Sequence, residues 1–236
     1  MRDLGKQERA AIEAVARHLS ATLELGSDFP DAGIVIGGKR VAVDIATLKR
    51  RDAAEGNNAA KLRLRFDKVA TKLVERLQVA VSRNVPDGIL VLLTITAPIR
   101  LPSKTAALLE EKIQTLLAGR LPCRDEQETI HGNRVRIRFF RDESERAPKL
   151  IGFVHNPDSD PALLLNMTCE LLELISVESA GRAPKAADER WLVVIGAGES
   201  SRLEAYRYIV SQLHKGTGFK KILMPFSDGS VGTLTG

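Results

Sequence analysis

Cysteine is nearly absent from the 236 residues: Cys123 and Cys169 are the only two, and neither lies in a CxxC pair or a Cys/His cluster. That excludes a disulfide framework and a thiolate zinc site. Aromatic residues make up 4% of the chain, with a single Trp, so a base-stacking platform for single strands has little to be built from. The four histidines, His18, His131, His155 and His214, are scattered without an HxxxH spacing. The longest apolar stretches, Gly88 to Ile99 and Trp191 to Ile195, fall short of the roughly 18 to 20 residues that cross a bilayer. Met1 to Glu8 enters a charged helical pattern without the apolar segment of a secretory signal. A cytoplasmic protein with no membrane partner is expected. What remains is an ordinary globular balance of 44% hydrophobic and 28% charged residues, with a net charge of +5. The modest basic excess favours a polyanionic partner.

Periodicity supplies the elements. Ile12, Val15, Leu19 and Leu23 recur at helical spacing and predict a helix from Asp3 to Glu24. Two β-branched runs, Gly33 to Ile36 and Arg40 to Thr47, flank Gly37-Gly38 and read as a hairpin. In the second run Asp44 points away from Val41, Val43 and Ile45. Leu62, Phe66, Val69, Leu73, Leu77 and Val81 predict a long helix over Asn57 to Arg83. Ile89 to Ile99 is apolar throughout, as in a strand covered on both faces, and Ser103 to Leu117 is a further helix. Arg134 to Arg141 alternates basic and apolar residues, a half-exposed strand whose expected hairpin partner is Lys149 to Val154. A helix over Asp160 to Glu178 precedes a tail of strand (Trp191 to Ile195), helix (Ser200 to Leu213) and strands Lys221 to Phe226 and Ser230 to Leu234. Interleaved helices and strands predict a mixed α/β (α+β) class: one domain over 1–236, with a core at 1–120 and an extension at 121–236 that completes the sheet.

Three segments carry candidate chemistry. The first is the N-terminal unit, where Asp31 follows Pro30 at the entrance to one strand and Asp44 lies on the next. Two carboxylates at the same end of adjacent strands suit a hard divalent cation. This order of helix, Pro30-Asp31, hairpin, acidic residue, helix and strand resembles the PD-(D/E)XK (restriction-endonuclease-like) nuclease superfamily over about the first hundred residues. The resemblance implies a three-layer sandwich around a central mixed sheet, and metal-dependent phosphodiester hydrolysis by an endonuclease or exonuclease. It implies Mg²⁺ or Mn²⁺ held by Asp31, Asp44 and the Ile45 carbonyl, with Glu13 or Glu24 assisting. The family's Lys position is occupied by Ala46, and Lys49 or Lys61 is the implied substitute. An inactive nucleic-acid-binding or protein-binding module of the same fold is the alternative that Ala46 favours.

The second segment is basic. Lys61, Arg65, Lys68, Lys72 and Arg76 fall at i, i+4, i+7, i+11 and i+15, one stripe beside the apolar face of the long helix. With Lys49-Arg50-Arg51 and the arginine face Arg134, Arg136 and Arg138 it offers sequence-independent footing for a nucleic-acid backbone. The opposing reading is a solvated flank whose stems cover the edge of the core. The third segment, Gly196-Ala197-Gly198-Glu199-Ser200-Ser201, imitates a dinucleotide-binding turn between strand and helix, with Asp228 beyond the next strand. Glu199 would oppose a pyrophosphate there. Whether the protein is a homodimer is left open.

Overall fold

The computed structural model describes residues 4–24, 29–48, 65–119, 125–141, 149–180, 187–196, 202–213 and 217–235. In chain order they form α1 (Lys6–His18), β1 (Thr22–Glu24), β2 (Ala32–Ile36), β3 (Lys39–Thr47), α2 (Lys68–Ser82), β4 (Ile89–Thr96), α3 (Pro102–Ala118) and β5 (Asp125–Ile130). There follow β6 (Asn133–Arg141), β7 (Leu150–His155), α4 (Pro161–Ser179), β8 (Glu189–Ile195), α5 (Leu203–Gln212), β9 (Lys221–Pro225) and β10 (Val231–Thr233). The protein is mixed α/β and has two mixed sheets. Its chain divides into two compact units, one of Met1–Asp52 with Glu170–Gly236, the other of Ala53–Cys169.

The first unit carries a six-stranded sheet in the order β1-β2-β3-β8-β9-β10. Gly37 and Gly38 both have positive φ, which a two-residue hairpin turn requires and which glycine adopts without strain. That turn fixes the antiparallel register of β2 on β3, from Ile36↔Lys39 to Ala32↔Val43. On its other edge β3 runs parallel to β8, from Val41↔Glu189 to Thr47↔Ile195. Alternation then sorts the faces: Val41, Val43 and Ile45 join Trp191, Val193 and Ile195 in one apolar cluster with Ala11, Ile12 and Val15 of α1. Each of those fully buried branched side chains contributes roughly 1.5 to 3 kcal/mol. Ala42, Asp44 and Ala46 point the other way.

The second unit carries a four-stranded sheet in the order β5-β6-β4-β7, with β4 parallel to β7 and antiparallel to β6. Leu73, Val74, Leu77 and Val81 of α2 and Leu109, Ile113 and Leu116 of α3 pack on one face of it, against Val91, Leu93, Ile95, Val135 and Ile137. Leu90, Leu92 and Thr94, on the opposite face of β4, are equally buried, so the expectation of a strand covered on both faces holds. Asn133 ties the β5–β6 turn to the start of α3. Its Oδ1 accepts from the Arg100 N–H at 2.7 Å, and its Nδ2 donates to the Arg100 carbonyl, the Ile130 carbonyl and Thr105 Oγ1, each at 2.9 Å.

Several expectations are corrected. The hairpin and the Ile89 strand do not share a central sheet, because both edges of β3 are taken by β2 and β8 and both edges of β4 by β6 and β7. The opening helix ends at His18; Ser20 takes a positive φ and Thr22–Glu24 pairs with β2, so Leu23 belongs to a strand. The long helix begins at Lys68, because the Asp67 side chain accepts from the Ala70 N–H and caps it there; residues 57–64 lie outside the described residues. Phe66 is left before the helix and exposed, and Val69 is exposed as well. The hairpin partner of β6 is β5, through a His131-Gly132 turn with both φ positive, while β7 pairs with β4.

Asn133→Ala removes the bonds that satisfy two backbone groups of the Arg100 region and one at Ile130. The expected loss is about 3 kcal/mol, seen in urea denaturation as a lower midpoint with an unchanged slope.

Candidate functional site

The hairpin brings Asp31 and Asp44 together as the sequence implies. One step beyond Ala32↔Val43 the same register sets Asp31 opposite Asp44. Asp31 lies just ahead of β2, and its Oδ2 accepts from the Ile45 N–H at 2.8 Å, extending the ladder where β2 has not yet begun. Asp44 is buried, with its side chain 5% exposed, and it faces a cation the sequence did not single out. Arg190 of β8 donates from Nε to Asp44 Oδ2 at 2.7 Å and from Nη2 to Oδ1 at 3.0 Å. This is the parallel two-point geometry in which guanidinium and carboxylate bind most strongly. The same Nη2 donates to the Glu178 carbonyl at 2.8 Å, and the guanidinium carbon sits 4.8 Å from the Phe219 ring centroid. Beside it opens a cleft of about 840 Å³, lined by Arg190, Phe219, Lys220, Thr217, Leu213 and Ser211.

The other residues implied by the resemblance do not gather there. Glu13 lies on the exposed face of α1 and pairs with Arg9 at 3.9 Å. Because α1 packs on the Val41, Val43 and Ile45 face, the sheet stands between Glu13 and the Asp44 side chain. Glu24 is engaged with Arg40, at 3.0 Å from its Nη2. Ala46 is a buried methyl with no charge to offer. Lys49, Arg50, Arg51 and Lys61 lie outside the described residues. Among the described residues no three His, Cys, Asp or Glu side chains converge as a metal group would need. The donor set at Asp44 therefore does not fit Mg²⁺ or Mn²⁺ in this arrangement: an ion at about 2.1 Å from a carboxylate oxygen would crowd a guanidinium already bonded to both oxygens.

Of the predicted basic stripe, Lys68, Lys72 and Arg76 lie on α2, all exposed and without an ion pair among the described residues. The helical rise separates successive members by about 6 Å. Arg65 precedes the helix and is bound to Asp67 at 2.8 Å, which removes it from the stripe. Arg83, the C-cap residue of α2, follows Arg76 by seven positions and returns to the same face. The arginine face of β6 is partly neutralised, since Arg136 and Arg138 both bond Asp125 of β5, at 2.7 Å from Nε and 2.7 Å from Nη2 respectively. Arg138 also reaches Asn166 Oδ1 at 3.5 Å, leaving Arg134 exposed. These guanidinium bonds, that of Arg136 foremost, hold the Asp125 carboxyl down at about 2.

Of the third segment only Gly196 is described. Asp228 accepts from the Ser230 N–H and hydroxyl and closes the β9–β10 turn. His155 is buried at the end of β7, its Nδ1 2.9 Å from the Asn156 carbonyl, and burial pushes its pKa down. No helix among the described residues is long and apolar enough to cross a membrane. No protein-family model, no curated protein and no solved structure matches the chain.

Asp125 supplies a pH test. Its folded pKa is depressed, so its stabilisation is complete above the ordinary carboxylate range and is lost as pH falls from about 4 toward 2. With solvent screening at this partly exposed site the contribution is about 1 kcal/mol. Asp125→Asn is expected to lower stability by that amount at pH 7 and to converge with the parent near pH 2, measured by urea denaturation at a series of pH values.

Proposed function

We propose that the protein is a nucleic-acid-binding module of restriction-endonuclease-like type that holds a phosphate backbone without cutting it. The observation that carries the reading is the α2 face, where Lys68, Lys72, Arg76 and Arg83 are all exposed on one side of the helix. A row of cations with no carboxylate partner among the described residues can exchange its counterions for phosphates, which is the source of sequence-independent affinity. Nothing on this face is shaped to read base edges: its polar groups are long, flexible point charges, and backbone positioning is what such groups do.

The nuclease-like part of the reading is supported by the order of elements in the first unit. A helix (α1), Asp31, the β2–β3 hairpin with Asp44, the part of α4 from Glu170 onward and a parallel strand (β8) follow one another, with residues 53–169 interposed. The sequence resemblance rests on the helix and strand that come next in the chain, α2 and β4, which belong to the other unit, so α4 and β8 stand in their places in this unit. The non-cutting part follows from chemistry. Metal-assisted hydrolysis needs a cation that generates hydroxide and stabilises the leaving oxygen, and Asp44 is committed to Arg190.

Fluorescence anisotropy with labelled duplex DNA at graded salt tests the reading. The parent is expected to bind duplexes of unrelated sequence alike. Lys68→Gln/Lys72→Gln/Arg76→Gln should bind more weakly and show a salt slope reduced by about 2 to 3 units in the log–log plot. Supercoiled plasmid incubated with the parent and Mn²⁺ should stay intact. Equal binding by the triple variant, or metal-dependent cutting lost in Asp44→Asn, would overturn it.

A further inference from the structure

We propose that Arg190 is the resident cation of the Asp44 carboxylate, occupying permanently the place a divalent metal would take there and closing the Asp31–Asp44 end of the hairpin to metal. The inference deepens the non-cutting part of the proposed function and rests on it, while being independent of the α2 cations, since it concerns only the first unit. Its basis is the degree to which the guanidinium is built in. Arg190 and Asp44 have side chains only 9% and 5% exposed. Both carboxylate oxygens are bonded, and the guanidinium is also fixed by the Glu178 carbonyl and by the Phe219 ring at 4.8 Å. Buried charges persist only when paired and hydrogen-bonded, and this pair meets both conditions without any external ion.

The register makes the arrangement specific to these positions. In the parallel β3–β8 ladder Ala42 is opposite Arg190 and Asp44 opposite Leu192, so Arg190 and Asp44 are two steps apart on neighbouring strands and project from the same face. A long side chain spans that diagonal. Asp31, on the other edge of β3, takes its place through the Ile45 N–H. Removing the guanidinium would leave two acidic side chains on adjacent strands with no positive charge from Ala46, the electrostatic condition under which a hard cation is taken up.

The test is a Mn²⁺ titration of the full chain, followed by thermal unfolding and by the electron-spin-resonance signal of free Mn²⁺. The parent is expected to unfold at the same temperature in EDTA, millimolar Mg²⁺ or millimolar Mn²⁺, and to leave the Mn²⁺ signal undiminished. Arg190→Ala should lose roughly 10 °C in Tm and regain several degrees in Mn²⁺, whereas Asp44→Asn/Arg190→Ala should gain nothing from the metal. Arg190→Gln, which keeps most of the volume, provides the same comparison if the alanine variant does not fold. Mn²⁺ binding by the parent that Asp44→Asn abolishes would overturn the proposal. So would a folded Arg190 variant indifferent to Mn²⁺.

Discussion

The first unit hangs on the parallel seam between β3 and β8. Every other strand of the six-stranded sheet is joined to one of these two or to a strand already joined, whereas the seam links residues more than 140 positions apart in sequence. Its backbone ladder aligns Val41, Val43 and Ile45 with Trp191, Val193 and Ile195 into one apolar surface, on which α1 lies. On the reverse face the same ladder brings Arg190 within reach of Asp44. Packing on one side and a buried ion pair on the other thus follow from a single register, and a slip of one residue would exchange the two faces and leave neither satisfied.

The ion pair is costly as well as cohesive. Desolvating a carboxylate and a guanidinium consumes much of what their attraction returns, so such pairs add little net stability compared with well-packed apolar residues, yet removing one partner is severe. What the pair supplies is exclusivity of register. An Asp on β3 and an Arg on β8 can both be buried only when the strands are aligned as they are, which marks this pairing off from its neighbours by an unpaired buried charge. The α2 cations follow the opposite logic. They remain in water and contribute little to the fold.

How much of this was legible in the sequence depended on distance along the chain. Gly37-Gly38 between two branched runs was sufficient to set the hairpin, and with it the opposition of Asp31 and Asp44, because a two-residue turn leaves one register. Arg190 was not singled out, because nothing local joins it to Asp44, 146 residues away. Strand β5, Asp-Glu-Gln-Glu-Thr-Ile, escaped because its residues are polar and its partner, not its own composition, makes it a strand. Phe66 was assigned to the core of a helix that Asp67 had yet to begin. Two strands rich in branched residues, β3 and β4, look alike in sequence, and periodicity carries no information about which sheet each joins.

The interposition of residues 53–169 between β3 and the later strands of its sheet, β8, β9 and β10, also sets an order in time. During synthesis the β2–β3 hairpin leaves the ribosome with one edge of β3 unpaired, and Arg190 follows Asp44 by 146 residues. At ribosomal rates that gap is roughly 7 to 30 s. Throughout it an apolar strand edge and a carboxylate wait without partners, while the second unit has all of its strands at hand once β7 has emerged. The unit that begins first is therefore the one that finishes last, and its exposed β3 edge is the point at which a nascent chain of this protein is most open to capture by a chaperone or by another copy of itself.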